Sequence, residues 1–175
     1  MTSSKFVAEP KAVYSLSIEK LTDIVEYSPN ATHPDSLVSK VALSAGSLFT
    51  PITTATEAPC KKWSTVQISL DKHVELNSAL VFMNHSCVPS VEIDTDLMEV
   101  RVAKNQNLQV GDELTFFYPS TEWQMDKPFE CLCGAGDKCL GTVTGATDIS
   151  QQKLNEFFVN EHIVKLKTAQ VAKNE

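Results

Sequence analysis

The sequence lacks the features that mark membrane, secreted and nucleic-acid-binding proteins. No apolar run reaches the roughly 20 residues that a membrane-spanning helix needs, and residues 1–11 lack the apolar core of a secretory signal. The sequence also lacks a cluster of lysine and arginine, and its net charge is −7. Because phosphate binding requires a basic face, direct contact with nucleic acid is not expected. We therefore expect a cytoplasmic or nuclear protein that binds neither nucleic acid nor a membrane.

Length and composition predict a single compact domain. The chain has 175 residues, of which 42% are hydrophobic and 21% charged, without an internal repeat or a low-complexity segment. These values are ordinary for a soluble globular protein of this size. The acidic balance would suit a basic peptide as partner, and it is equally the composition of a plain soluble surface. Oligomeric state does not follow from the sequence.

Four of the five cysteines have the number and spacing of a metal site. They are Cys87, Cys131, Cys133 and Cys139, the last three spaced C-x-C and C-x5-C. In a reducing compartment such cysteines favour metal over disulfides, and four thiolates complete the shell of a structural zinc ion with no open position. Gly134 and Gly136 would let the chain double back to bring Cys139 into place. The alternative is that some are buried free thiols; Cys60 lacks partner spacing and is interpreted as an ordinary thiol.

The apolar pattern predicts a mostly β protein with one helix near its C-terminus. Strands are expected within residues 13–27, at 38–43, 47–52, 64–68, 74–76 and 113–118, and as a hairpin over 91–94 and 98–102, with a loop over 28–36. Residues 148–151 have capping-box spacing. Helical periodicity then predicts a helix over about 149–167, with Leu154, Phe157, Phe158 and Ile163 buried.

Three motifs occur together in one order along residues 36–141. The first is Asn84-His85-Ser86-Cys87-Val88-Pro89-Ser90, and the second is Gly111-Asp112-Glu113-Leu114-Thr115-Phe116-Phe117-Tyr118. The third is the cysteine segment, which ends Cys139-Leu140-Gly141. Together they resemble the SET-domain methyltransferases that carry a cysteine-rich post-SET tail. The resemblance implies a SET-type β-clip with a pseudoknot and a post-SET zinc site.

The resemblance also implies S-adenosylmethionine as cofactor. Asn84 and His85 stand where the family holds this cofactor, and Phe129 and Leu132 would supply an apolar wall against its adenine. The alternatives are an Asn-His turn with satisfied side chains and a phenylalanine that only packs beside the metal.

Tyr118 stands where the family keeps its catalytic tyrosine, and Phe116 matches a substrate-channel position. The hydroxyl of Tyr118 would align an amine for methyl transfer, and alignment of the reacting groups contributes a large part of an enzyme's rate acceleration. Phenylalanine at 116 implies room for added methyl groups, hence di- or trimethylation. The alternative is a strand tyrosine within the core. The implied function is S-adenosylmethionine-dependent N-methylation of an amine, with protein lysine as the leading substrate.

Because the sequence departs from the family pattern in four places, two alternative functions remain to be considered. Residues 34–37 contain no glycine where the family has Gly-x-Gly, Val81 replaces an arginine and Ser90 replaces an asparagine. The segment before Asn84 is also too short for the helical insert that builds a peptide groove. The rivals are a reduced SET-like binding or scaffold protein without methyl transfer, and an enzyme that acts on a small molecule.

The motifs divide the chain into four predicted regions within one domain. They are an N-terminal strand and loop region (1–35), the SET core (36–125), a post-SET zinc tail (126–146) and a C-terminal helix with its tail (147–175). Glu122 and Trp123 are interpreted as a turn with a buried tryptophan. His33, His73 and His162 lack metal-ligand spacing and are interpreted as structural or solvated.

Overall fold

The computed structural model describes residues 21–28 and 35–173, and this part of the chain is mostly β. Its strands are β1 (Val25–Ser28), β2 (Ser36–Ser39), β3 (Leu48–Pro51), β4 (Thr56–Glu57), β5 (Thr65–Gln67), β6 (His73–Glu75), β7 (Asn84–His85), β8 (Val91–Asp94), β9 (Glu99–Val102), β10 (Thr115–Phe116), β11 (Phe129–Glu130) and β12 (Thr142–Val143). Two helices follow, α1 (Gln151–Leu154) and α2 (Glu161–Ala172). The predicted fold class is confirmed.

The strands form small sheets rather than one large one. Antiparallel sheets are β1-β2, β11-β12, β3-β9-β8 and β4-β6-β5, and β7 pairs with β10 in parallel. The predicted hairpin is confirmed as β8-β9, in which Val91 faces Val102 and Ile93 faces Val100. All four of these side chains are buried. Alternate residues therefore supply the apolar face of a half-buried sheet.

The parallel pair β7-β10 brings the first and second sequence motifs together. Asn84 lies opposite Thr115, and His85 lies opposite Phe116. On the other side of the second motif, Leu114 donates its backbone N–H to the carbonyl of Leu37 at 2.7 Å. The segment before Tyr118 is thus held between β2 and β7, which fixes its position relative to the Asn-His pair.

Two of the predicted strands differ most from the bounds that their patterns indicated. Within the strand expected over 113–118, regular pairing is confined to β10, with one further bridge between Glu113 and Val38. The strand ends there because a 3-10 turn begins at Tyr118 and contains Pro119, and proline removes a donor from a strand. The strand expected over 38–43 is β2, displaced toward its N-terminal side, with one further bridge between Leu43 and Leu108. Residues 13–20, and residues 29–34 of the predicted loop, lie outside the described residues.

The prediction of one continuous helix over 149–167 was wrong, because residues 155–160 separate α1 from α2. Ser150, rather than Asp148 at the start of the predicted capping box, caps α1 by accepting the N–H of Lys153. α1 ends at Leu154, and α2 begins only after Asn160, whose backbone angles are extended (φ −69, ψ 153). Its amide donates to the carbonyls of Ile93 and Ser120, both at 2.9 Å. These long-range bonds fix Asn160 as the residue that precedes α2, which no local periodicity could indicate.

Two apolar cores flank β10. Phe116 belongs to the larger core, built from β1 to β9, whereas Phe117 packs in a smaller core with Ala146, Leu154 and Ile163. The Phe117 ring stacks on Phe157, with centroids 3.7 Å apart. Burial of Leu154 and Ile163 is as predicted, while Phe157 and Phe158 are only half-buried. Two consecutive residues, Phe116 at the end of β10 and Phe117 just after it, therefore join the C-terminal helices to the β core.

No helix in the described part of the chain has both the length and the apolar character needed to cross a membrane.

Candidate active site and metal centre

One cavity collects every side chain that the sequence assigned to cofactor, channel or catalysis. It has a volume of about 320 Å³ and lies between β7, β10, the turn after β10 and the start of the cysteine segment. The predicted residues on its wall are Asn84, His85, Phe116, Tyr118, Phe129 and Leu132. They come from three separate motifs. Cavities of this size accommodate small ligands.

Tyr118 is held in this cavity from both of its ends. Its hydroxyl donates to the carbonyl of Met83 at 2.9 Å, and its backbone N–H donates to Nδ1 of His85 at 3.1 Å. The rings of Phe116 and Phe129 lie 4.7 and 5.9 Å away, centroid to centroid. Burial, and then the charge of Glu122, raise the pKa of Tyr118 above its ordinary value, so the hydroxyl stays protonated at neutral pH.

Asn84 connects β7 to the loop that lacks the family's glycines. Its side-chain amide donates to the hydroxyl of Ser36 at 3.1 Å, and Ser36 is buried. The preceding residue, Asp35, has φ +55, a left-handed conformation that glycine and, less often, aspartate or asparagine adopt. At this position the chain thus takes a glycine-like conformation with an aspartate.

Phe129 and Leu132 reach the cavity from the segment that leads into the cysteines. Phe129 lies on β11, opposite Val143 of β12, and its ring is 5.9 Å from that of His85. Leu132 is 63% exposed at the cavity mouth. Both residues predicted to form an apolar wall therefore line the cavity, with Phe129 packed and Leu132 facing outward.

The four predicted metal ligands converge. The sulfurs of Cys87, Cys131, Cys133 and Cys139 all lie within 4.8 Å of one another, and the Cys87 and Cys131 sulfurs are 3.9 Å apart. Four sulfurs at about 2.3 Å from a tetrahedral zinc ion would be about 3.8 Å apart, so the cluster fits such an ion. Gly134 and Gly136 have φ of +66 and +56, as required for the chain to double back.

Backbone N–H groups favour negative charge on the cysteine sulfurs, whereas burial opposes it. Leu140 donates its backbone N–H to the Cys87 sulfur at 3.3 Å, and Gly141 donates to the Cys139 sulfur at 3.4 Å. Without an ion, burial raises the pKa of Cys87 to about 11. Burial acts in the same direction on Cys133, but hydrogen bonds from neighbouring groups lower its pKa to about 7. Cys60 is exposed and stands outside the cluster, as predicted.

The cavity wall also contains a buried carboxyl that was not among the predicted site residues. Glu122 is only 6% exposed and lies in the cavity wall. Its Oε1 accepts the backbone N–H of Gln67 at 2.7 Å, and burial raises its pKa to about 7. The tryptophan expected to be buried beside it, Trp123, is only half-buried. No local pattern reveals this carboxyl, because Gln67 is 55 residues away.

Comparison with known proteins agrees with this geometry. The family model of the SET domain matches residues 13–119, which is more than half of the chain. Methyltransferase flvH of Aspergillus flavus is 50% identical over 128 residues, which cover 73% of this chain and 71% of that protein. The family predicted from the three motifs is confirmed: this chain belongs to the SET domain family.

Proposed function

We propose that this chain transfers a methyl group from S-adenosylmethionine to the nitrogen of an amine, with the lysine side chain of a protein as acceptor. The observation that supports this proposal most directly is the single cavity in which Asn84, His85, Phe129 and Leu132 adjoin Tyr118 and Phe116. A cofactor site and an acceptor site must share one space for a group to pass between them.

The residues on the cavity wall fit the proposed cofactor. Asn84 and the backbone around His85 offer polar groups, while Phe129 and Leu132 offer an apolar surface, a combination typical of ligand sites. When bound, S-adenosylmethionine supplies a methyl group on a positively charged sulfur, which an uncharged amine can attack. Asn84 and His85 would hold the polar part of the cofactor, and Phe129 and Leu132 would cover its adenine.

Tyr118 is the residue that we assign to alignment of the amine. Its single hydroxyl hydrogen is given to the carbonyl of Met83, so its oxygen can serve only as an acceptor for any other group. An amine N–H that donates to this oxygen would have its lone pair fixed in direction. Phe116, whose ring lies beside Tyr118, carries no hydroxyl that would occupy the space of a second or third methyl group.

We assign a structural zinc ion to the four cysteines. Cys87 belongs to the core, whereas Cys131, Cys133 and Cys139 belong to the tail that carries Phe129 and Leu132. A closed set of four sulfurs would join these two parts and leave no position for a substrate. The ion would therefore hold one wall of the cavity without entering the reaction.

A small amine is the second candidate acceptor, and two observations favour it. Between β6 and β7 the chain forms only a short 3-10 turn, Ala79–Phe82, so this segment builds no helical wall for a peptide. Trp63, which is 77% exposed, lies on the cavity wall together with the exposed Leu132. Exposed apolar side chains at a mouth suit an apolar substrate body.

Calorimetric titration with S-adenosylmethionine tests the function first. We expect saturable binding by the zinc-loaded chain, and an absence of binding would leave only the scaffold alternative. Methyl transfer from labelled cofactor is then measured with a lysine peptide library and with n-butylamine. Labelled peptides support the lysine acceptor. Labelled n-butylamine without labelled peptides would contradict it and support the small amine.

A further inference from the structure

Glu122 is a buried carboxyl whose second oxygen is not used by the fold. Oε1 accepts the N–H of Gln67 and lies 3.4 Å from the hydroxyl of Thr121. Oε2 lies 3.9 Å from Nδ1 of His73. Among the described residues, neither lysine nor arginine forms an ion pair with this carboxyl within 4.0 Å, since Lys61 directs its ammonium to the carbonyl of Gln124.

A purely structural role does not explain why this residue is an acid. The bond from Gln67 requires one carbonyl-type oxygen, which a glutamine would supply without the cost of burying a charge. Burial raises the pKa of Glu122 to about 7, although the Gln67 N–H, the charge of Lys61 and the Thr121 hydroxyl act in the opposite direction. A carboxyl with such a pKa can both take up and release a proton near neutrality, as general bases do.

The proposed reaction needs such a group. An alkylamine has a pKa near 10.4, so only about one molecule in a few thousand is uncharged at pH 7. The charged form has no lone pair to attack a methyl group. Tyr118 cannot take up the proton, because its hydroxyl is already protonated and its pKa is raised. Glu122 lines the same cavity as Tyr118.

We infer that Glu122 receives the ammonium form of the acceptor amine and takes its proton before methyl transfer. In this step one N–H bond of the ammonium breaks, its electron pair stays on nitrogen, and the proton joins the free oxygen of Glu122. The uncharged amine remains in the cavity, where Tyr118 aligns it. This inference rests on the proposed function, and it adds a second residue that contacts the acceptor.

His73 provides the route by which the proton leaves. Its Nδ1 has no hydrogen-bond partner and faces Oε2 of Glu122, while its side chain is 15% exposed. Burial, and then the charges of Lys61 and His162, lower the pKa of His73, so the ring is uncharged at neutral pH and can accept. Among the described residues, the other titratable groups that interact with this pair are Lys61, Tyr118 and His162. The proton passes from Glu122 to His73 and on to water, which restores the carboxylate.

The first experiment observes Glu122 directly and needs no turnover. Protein with ¹³C-labelled glutamate carboxyls is loaded with zinc and S-adenosylhomocysteine and titrated by NMR, with Glu122→Gln identifying the resonance. We expect n-butylammonium chloride to lower the apparent pKa of Glu122, because an N–H donated to the carboxylate favours its charged form. Tetramethylammonium chloride, which has no N–H, should have no such effect. If n-butylammonium leaves the apparent pKa of Glu122 unchanged, the inference is overturned.

The second experiment separates this role from a structural one. Glu122→Gln keeps the acceptor for Gln67, and we expect its turnover with n-butylamine at neutral pH to fall about a hundredfold, with unchanged cofactor affinity. The loss should shrink as pH rises, because the amine then arrives uncharged. Glu92→Gln is the matched control, since burial also raises the pKa of Glu92, which lies outside the cavity. A Glu122→Gln rate profile that parallels the wild type contradicts the inference, whereas failure of the wild type to bind cofactor contradicts the proposed function instead.

Discussion

The imidazole of His85 lies 3.4 Å from the sulfur of Cys87, Nε2 to Sγ. Its other nitrogen, Nδ1, accepts the backbone N–H of Tyr118 and is therefore unprotonated, so the ring hydrogen is on Nε2. That hydrogen faces the sulfur of a proposed zinc ligand. The side chain of His85 thus connects the cysteine cluster to Tyr118, the residue that we assign to alignment of the amine. Side chains that hydrogen-bond to metal ligands commonly orient those ligands.

Replacing His85 should weaken both ends of this connection. We expect His85→Ala to lower the free energy of unfolding by about 1–3 kcal/mol, because the N–H of Tyr118 loses its partner, and to accelerate zinc release to a chelator. His162→Ala is the matched control, since this buried ring also bonds to backbone, at the carbonyl of Thr121, but lies away from the cysteines. Equal zinc release from the two variants would show that His85 does not support the metal site.

Zinc content tests the cysteine cluster. Protein purified without added metal should contain about one zinc ion per chain, as a four-sulfur structural site requires. Cys87→Ser should lose the metal and loosen the tail, because Cys87 is the one proposed ligand outside residues 131–139. Cys60→Ser should retain it, since Cys60 is exposed and outside the cluster. Elemental analysis and limited proteolysis measure both effects; a metal-free wild type, or a Cys131–Cys139 disulfide, would refute the site.

The cofactor position is tested at Asn84. We expect Asn84→Ala to weaken S-adenosylmethionine binding by about 1–3 kcal/mol, the usual effect of removing a hydrogen-bond partner from a partly buried site. The change should also free the loop at Ser36, to which the Asn84 side chain is bonded. Asn105→Ala, at an exposed position outside this cavity, should bind as the wild type does. Calorimetry measures both affinities, and an unchanged affinity of the Asn84 variant would place the cofactor elsewhere.

The sequence predicted the structural features that depend on local residue patterns or on a recognisable motif. The β8-β9 hairpin follows from alternation, since Val91 and Ile93 lie on one face with Val100 and Val102. The cysteine cluster follows from spacing and from glycines that can adopt positive φ. Both features depend on residues close together in the chain or on a motif with a fixed geometry.

The parts that the sequence did not predict depend on distant partners. Helical periodicity continues across residues 155–160, but Asn160 bonds to Ile93 and Ser120, which are 67 and 40 residues away. Glu122 accepts the backbone N–H of Gln67, which is 55 residues away, and this bond exists only after β5 meets the turn that follows β10. Polar groups of this kind are satisfied by tertiary structure, so local periodicity carries no sign of them.

Tyr118→Phe separates alignment of the amine from cofactor binding. The change keeps the ring and removes the hydroxyl that bonds to Met83. We expect turnover to fall by about tenfold or more while cofactor affinity stays within about threefold, because an interaction made mainly in the transition state affects rate rather than ground-state binding. Tyr27→Phe, at an exposed ring outside the cavity, is the control. If the wild type is active and Tyr118→Phe has the same turnover, the role assigned to Tyr118 is contradicted.

Glu122 should make the stability of the protein depend on pH in an unusual direction for a carboxyl. Burial raises its pKa from an ordinary 4.5 to about 7, so between these values the folded chain retains a proton that the unfolded chain has lost. Its contribution to stability is therefore complete below about pH 4.5 and is lost as pH rises through about 7. Glutamine at this position carries no charge at any pH and keeps the bond to Gln67.

The free energies of unfolding of the wild type and Glu122→Gln should consequently diverge as pH rises. The two proteins should be similar near pH 4.5, and the variant should be the more stable above pH 7, by an amount on the order of 3 kcal/mol for a shift from 4.5 to about 7. Urea titrations at several pH values measure the difference, in which the pH dependence of the cysteines cancels because both proteins share it. A difference that stays constant with pH would mean that Glu122 is not a desolvated acid. A gain in stability together with the loss of turnover would indicate that the chain retains a destabilising charge at 122 because the reaction requires it.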